Sequence, residues 1–119
     1  MSETSDLFEP LDFYGDLESK KVSIPFKYYW KKHLLSGSKS CTTRVAKYGN
    51  IGDTFDIFGA TFEIIDIKRT TLQDVKDNYY IKEGCSTPLV FETAWCAIHP
   101  AARFKPELKV WLHIFKRIM

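Results

Sequence analysis

The sequence predicts one α+β domain, built on a curved five-stranded sheet or small barrel with about three helices. Three observations predict it. At 119 residues the chain is long enough for one ordinary domain and too short for two. Five short strand-like runs are interrupted by helical stripes gathered in two places, not one after every strand. One apolar run also changes phase in its middle, as a strand does where a sheet curls.

Each element has its own local cause. Residues Met1 to Ser19 have few aliphatic side chains and no period, so they read as an acidic tail (1–19) ahead of a folded domain (20–119). Val22 to Ile24 reads as a short strand. Pro25 suits the first position of a helix, where its missing N–H costs nothing. Phe26, Tyr29, Trp30, His33 and Leu34 then recur at helical spacing, with Lys27, Lys31 and Lys32 away from that stripe. Gly37 is placed to end the helix in a left-handed cap. Thr42 to Ala46 reads as strand, and the turn formers from Tyr48 to Asp53 as loop. Thr54 to Phe58 and Thr61 to Lys68 form a hairpin turning at Gly59-Ala60. In the second of these, Phe62 and Ile64 share one face, and Ile65 and Ile67 fall on the other. That switch predicts a bulge near Ile64 and Ile65.

Thr71 can cap a helix with the stripe Leu72, Val75 and Tyr79, closed by Gly84. Ser86 and Thr87 ahead of Pro88 open another helix, with Phe91, Ala94, Trp95 and Ile98 on its apolar face and Pro100 as its stop. Leu108 to Ile118 is apolar on both faces and therefore predicts a central strand.

Composition narrows the functional class. At 45% hydrophobic residues the chain can fill a core, which excludes disorder throughout. No apolar run approaches the ~18 residues of a spanning helix. The acidic opening lacks the basic start and apolar stretch of a secretory signal. An odd set of cysteines, Cys41, Cys85 and Cys96, contains no CxxC pair and points to a reducing, cytoplasmic compartment. Charge is unevenly spread. The formal net is +2, yet Glu3, Asp6, Glu9, Asp12, Asp16 and Glu18 precede any basic residue. Without those six, 17 basic residues face nine acidic ones, a net of +8, which fits a nucleic-acid partner. The acidic tail reads first as a frayed terminus; the functional alternative is that it shields a basic groove.

The candidate chemistry lies in Leu35-Ser-Gly-Ser-Lys-Ser-Cys-Thr-Thr-Arg44. On a strand, Thr42 and Arg44 face the same side, and Lys39 in the preceding turn can fold back over it. A cation, a hydroxyl and a guanidinium at one mouth suit an anionic or carbonyl-bearing ligand. A solvated basic turn would carry the same composition. Cys96 and His99, three apart, are too few for a zinc site and read as a small buried thiol and a helix-end histidine. His33 and His113 lie in apolar stretches and read as core histidines. No phosphate loop, G-x-S-x-G or HExxH occurs.

Gly37, Lys39, Thr42 and Arg44 match G-x-K-x-x-T-x-R, and here the sequence resembles the ASCH domain family, relatives of the PUA fold. The resemblance runs from about Val22 onward. It takes in the Gly52-Asp53 turn, Glu83-Gly84 with Ser86 at a helix start, Trp95, and the ending His113-Ile-Phe115. It implies a PUA-like sheet and a site for a nucleoside or RNA. Some bacterial members are amidohydrolases that remove the acetyl group of acetylcytidine. By that resemblance Lys39 is the base, Thr42 the nucleophile and Glu83 the proton donor, with Gly37 and Arg44 shaping the ligand site and no metal or cofactor. Other members bind RNA without catalysis. Lys27, Lys31 and Lys32 would then meet phosphates. The acidic tail has no counterpart in the family pattern.

Overall fold

The computed structural model describes residues 19–119, so the acidic segment up to Glu18 lies outside the described residues. Four strands form one antiparallel sheet: β1 (Cys41–Arg44), β2 (Thr54–Ile57), β3 (Ala60–Thr71) and β4 (Lys109–Arg117), in the order β1-β4-β3-β2. It is curled into a half-barrel and carries three helices, α1 (Lys31–Ser36), α2 (Leu72–Asn78) and α3 (Pro88–Ile98). β4 lies between β1 and β3, as its two apolar faces require.

The sheet has four strands, not the expected five. The run Val22 to Ile24 supplies only a bridge, Lys21 against Thr54, and one bond from the Val22 N–H to the Thr54 carbonyl at 2.7 Å. Beyond it Ile24 turns into the core, and Pro25 has no N–H to extend a ladder. The Pro25 carbonyl instead accepts from Arg44 Nη2 at 2.7 Å. Residues 21–25 thus strap one outer edge of the sheet to the other.

Helix formation also starts later than Pro25. Lys27 is extended, Tyr28–Trp30 make a single 3₁₀ turn, and α1 follows. The stripe is rotated as a result. Leu34 is fully buried, Trp30 is half-buried, and Tyr29 is exposed. Gly37 caps α1 with φ 86°, the left-handed value its position predicts.

The β2–β3 turn falls at Phe58-Gly59, one residue early, with both φ values positive (53° and 79°), as a tight hairpin demands. β3 runs to Thr71, past the expected Lys68, and carries the predicted bulge. Ile64 pairs with Phe115 and Asp66 with Ile114, leaving Ile65 unmatched. This extra residue returns Ile67 to the side of Phe62 and Ile64, and Ile65 is left exposed. Thr71 and Thr87 cap α2 and α3 through the N–H groups of Asp74 and Val90. Gly84 does not end α2, which stops at Asn78. It ends the run of turns that follows, with φ 90°.

Each face of the sheet has a core. Cys41, Val110 and Leu112 pack under α2 and α3 with Leu72, Val75, Phe91 and Trp95. Phe55, Phe62, Ile64 and Phe115 pack with Ile24 and Leu34 on the other side. The outer edge of β1 lies where the two packed layers part.

Candidate functional site

A cavity of about 590 Å³ opens there, walled by the Pro25–Trp30 segment, β1, the residues after it to Tyr48, and one face of α3. That volume suits a ligand of nucleoside size. Lys39, Thr42, Thr43, Arg44 and Glu83 all line it. Lys27 lies at its wall, whereas Gly37, Lys31 and Lys32 do not line it.

Two backbone devices bring Lys39 and Glu83 together across 44 residues of sequence. After the Gly37 cap the chain turns back, and the Lys39 N–H bonds the His33 carbonyl. The N–H groups of Ser40 and Cys41 then both donate to the Lys82 carbonyl, tying the start of β1 to the turn that carries Glu83. Gly84 permits the approach, since a Cβ there would lie 3.2 Å from both Lys39 Cβ and the Trp30 ring.

Lys39 Nζ donates to Glu83 Oε1 at 2.8 Å and to the Glu83 carbonyl at 3.0 Å. It also sits 4.4 Å from the Trp30 ring centre, a cation–π contact. Both side chains are almost fully buried, at 2% and 6% exposure. The second Glu83 oxygen, Oε2, accepts from the Thr43 hydroxyl at 2.5 Å. Thr42 lies on the other face of β1, where its Oγ1 accepts from Arg44 Nε at 3.1 Å. The Arg44 guanidinium is held between the rings of Phe26 and Tyr48, 4.9 and 5.3 Å from their centres. Burial pushes its pKa below the ordinary value, opposed by Tyr48 and Glu83; an arginine nonetheless stays charged.

One residue that pattern reading passed over, and one that it read only as core, support this mouth. Thr43 follows the signature threonine and carries no motif of its own. His113 is fully buried, and its Nε2 accepts from the Tyr48 N–H at 3.0 Å. Nδ1 therefore carries the proton and faces the Thr42 carbonyl at 3.4 Å. His113 is thus a satisfied core histidine, as its apolar neighbours suggest, and it also ties two cavity walls together. Burial, with Arg44 adding to it, lowers its pKa from the usual histidine value.

The remaining histidines and the buried thiols serve packing, whereas Cys96, expected to be buried, is half-buried. His99 stacks on Trp95 with ring centres 4.0 Å apart, and both line the cavity. His33 meets Trp30 edge-on, and its Nδ1 has no partner among the described residues. Cys41 is buried with its pKa raised by burial and by Glu83, and the same causes push Cys85 up to about 11. Asp53, in the turn after Gly52, accepts from the N–H groups of Lys20 and Asn50, a structural role. Among the described residues no helix is long and apolar enough to cross a membrane.

No family model matches the chain, and no curated protein matches it. Solved structures do. An ASCH domain from Lactobacillus crispatus superposes with a TM-score of 0.63 at 12% identity, covering 90% of this chain and 85% of that one. An ASCH mutant protein from Zymomonas mobilis gives 0.63 at 13% identity, covering 83% and 69%. Likeness at this identity speaks to the fold. The α1 cap at Gly37, the turn at Lys39 and the strand with Thr42 and Arg44 therefore sit in the architecture that the G-x-K-x-x-T-x-R pattern implies, and the chain has the PUA-like fold of the ASCH domains.

Proposed function

We propose that the chain is an amidohydrolase of the ASCH family, acting on acetylcytidine-like nucleosides or bases. The observation that carries this reading is the buried Lys39–Glu83 pair set into a ligand-sized cavity that Thr42 and Thr43 also line. Desolvating two opposite charges costs several kcal/mol per ion, at order-of-magnitude level, and often stabilises nothing. A surface that only gripped phosphates would need no such pair. A reaction that moves a proton in each direction does.

In the proposed scheme a proton passes from Lys39 to Glu83 within the pair, leaving a neutral amine and a carboxylic acid. The amine takes the Thr42 hydroxyl proton as Oγ1 bonds the acetyl carbon. Arg44 Nε, already on that oxygen, holds it in place and favours its loss of the proton. The C–N bond then breaks, and Glu83 gives its proton to the departing exocyclic nitrogen. Glu83, now ionised, takes a proton from water as the hydroxide adds to the threonine ester. Lys39 returns a proton to Thr42 Oγ1 as that oxygen leaves, acetic acid departs and loses its proton to solvent, and Glu83 passes its proton back to Lys39. The residues carry the proton traffic themselves. Three free cysteines fit a reducing, cytoplasmic setting.

The test is a time course of cytidine formation from acetylcytidine, with and without a chelator, for wild type and Lys39→Ala. Product from wild type, unchanged by chelator and lost in the variant, is expected. Equal rates from both proteins would remove Lys39 as the base. A second reading, an RNA-binding module without turnover, is favoured by the net +8 of residues 20–119 and by Lys27 at the cavity wall. In that reading Lys31 and Lys32, which do not line the cavity, would meet phosphates outside it. Nucleoside binding without product would select it.

A further inference from the structure

Outside the cavity, one row of side chains crosses three strands on one face of the sheet. Register places Arg44 of β1 opposite Trp111 of β4, and Trp111 opposite Arg69 of β3. The Arg69 guanidinium lies 4.7 Å from the Trp111 ring centre, and Lys47 Nζ lies 5.5 Å from it. Arg69 and Lys47 are exposed, and Trp111 is half-buried among the described residues. None of the three lines the cavity, yet the row adjoins it. Arg44 belongs to both, and Lys47 sits between Ala46 and Tyr48, which form the cavity rim.

An aromatic ring flanked by cations on a sheet face fits a single-stranded nucleic acid. Bases stack on the ring, phosphates meet the cations, and neither contact depends on sequence. Duplex bases are already stacked and offer the ring little. The charge of the domain has the matching sign, +8 over residues 20–119. Continuity through Arg44 sets the geometry: a strand whose modified base enters the cavity lays its neighbouring nucleotide on Trp111. We therefore propose that the row Arg44–Trp111–Arg69, with Lys47, is a docking strip for the nucleotide flanking the bound base, so that the ligand is a single-stranded polynucleotide. The proposal rests on the reading that the cavity takes a nucleobase.

The test compares a labelled single-stranded RNA decamer bearing one acetylcytidine with free acetylcytidine, using the full chain. Trp111→Ala is expected to lower the decamer-to-nucleoside affinity ratio by about tenfold, and Trp111→Phe to keep most of it. Arg69→Ala, at an exposed position that tolerates truncation, is expected to flatten the log-affinity against log-salt slope by roughly 0.7. If Trp111→Ala does not fold, Arg69→Ala and Lys47→Ala decide the question. An unchanged ratio in these variants, with the nucleoside still bound, overturns the strip and leaves the cavity reading standing. No nucleoside binding by wild type overturns the cavity reading and with it the strip's place beside a bound base; a Trp111-dependent decamer affinity would then show single-stranded docking on the row alone. Displacement of the decamer by polyglutamate or duplex RNA as readily as by single strands marks a general anion surface and overturns the proposal.

Discussion

Glu83 has both carboxylate oxygens committed to buried partners. Lys39 occupies one of its oxygens and Thr43 the other, and both charged side chains are buried. Removing one member strands a buried charge. Lys39→Ala is expected to cost about 3–5 kcal/mol, whereas Lys39→Met with Glu83→Leu should recover most of that loss and remain inactive. Urea unfolding measures the first effect and acetate release the second. His113 gives a pH dependence of definite sign. Its pKa is lower in the folded state, so the unfolded chain binds more protons as pH falls. Stability is full above the unfolded histidine value of about 6.5 and declines below it towards the folded value. Thermal midpoints between pH 7.5 and 5 should show a fall that His113→Gln reduces. At neutral pH, Cys41 and Cys85 are buried thiols with raised pKa values. Cys96, half-buried, should react first with a thiol reagent under native conditions, as mass mapping would show.

At the scale of elements, local chemistry was legible and long-range partnership was not. The caps at Gly37, Thr71 and Thr87 and the bulge at Ile65 follow from side-chain type and period, and they stand where the pattern puts them. The lost first strand and the late start of α1 share another cause. The Pro25 carbonyl is claimed by Arg44, a contact set 19 residues downstream that no local period encodes. Gly84 was misread because its value lies in letting Trp30 and Lys39 come close, not in ending α2. Thr43 carried no signal at all, since its role depends on a carboxylate 40 residues away. The bulge makes a clean contrast between neighbours. Ile64→Ala should cost about 2–5 kcal/mol because Ile64 is fully buried, and Ile65→Thr, on an exposed side chain, should stay within about 0.5 kcal/mol. Denaturant midpoints of the two variants decide it.

The molecule as a whole divides its charge along the sequence. Six acidic residues precede Lys20, and the rest carries +8. A protein lacking residues 1–19 should bind single-stranded RNA more tightly at low salt, with the difference shrinking as salt is raised. Titration at two ionic strengths measures it. The central place of β4 has a further consequence, in the time course of synthesis. Thr42 and its partner His113 stand 71 residues apart. While a ribosome is still making the middle of the chain, β1 has nothing to pair with, and its lysine, threonines and arginine are only a polar stretch. The cavity comes into being when β4 arrives, so a nascent chain offers no ligand site until nearly all of the residues described here have been joined.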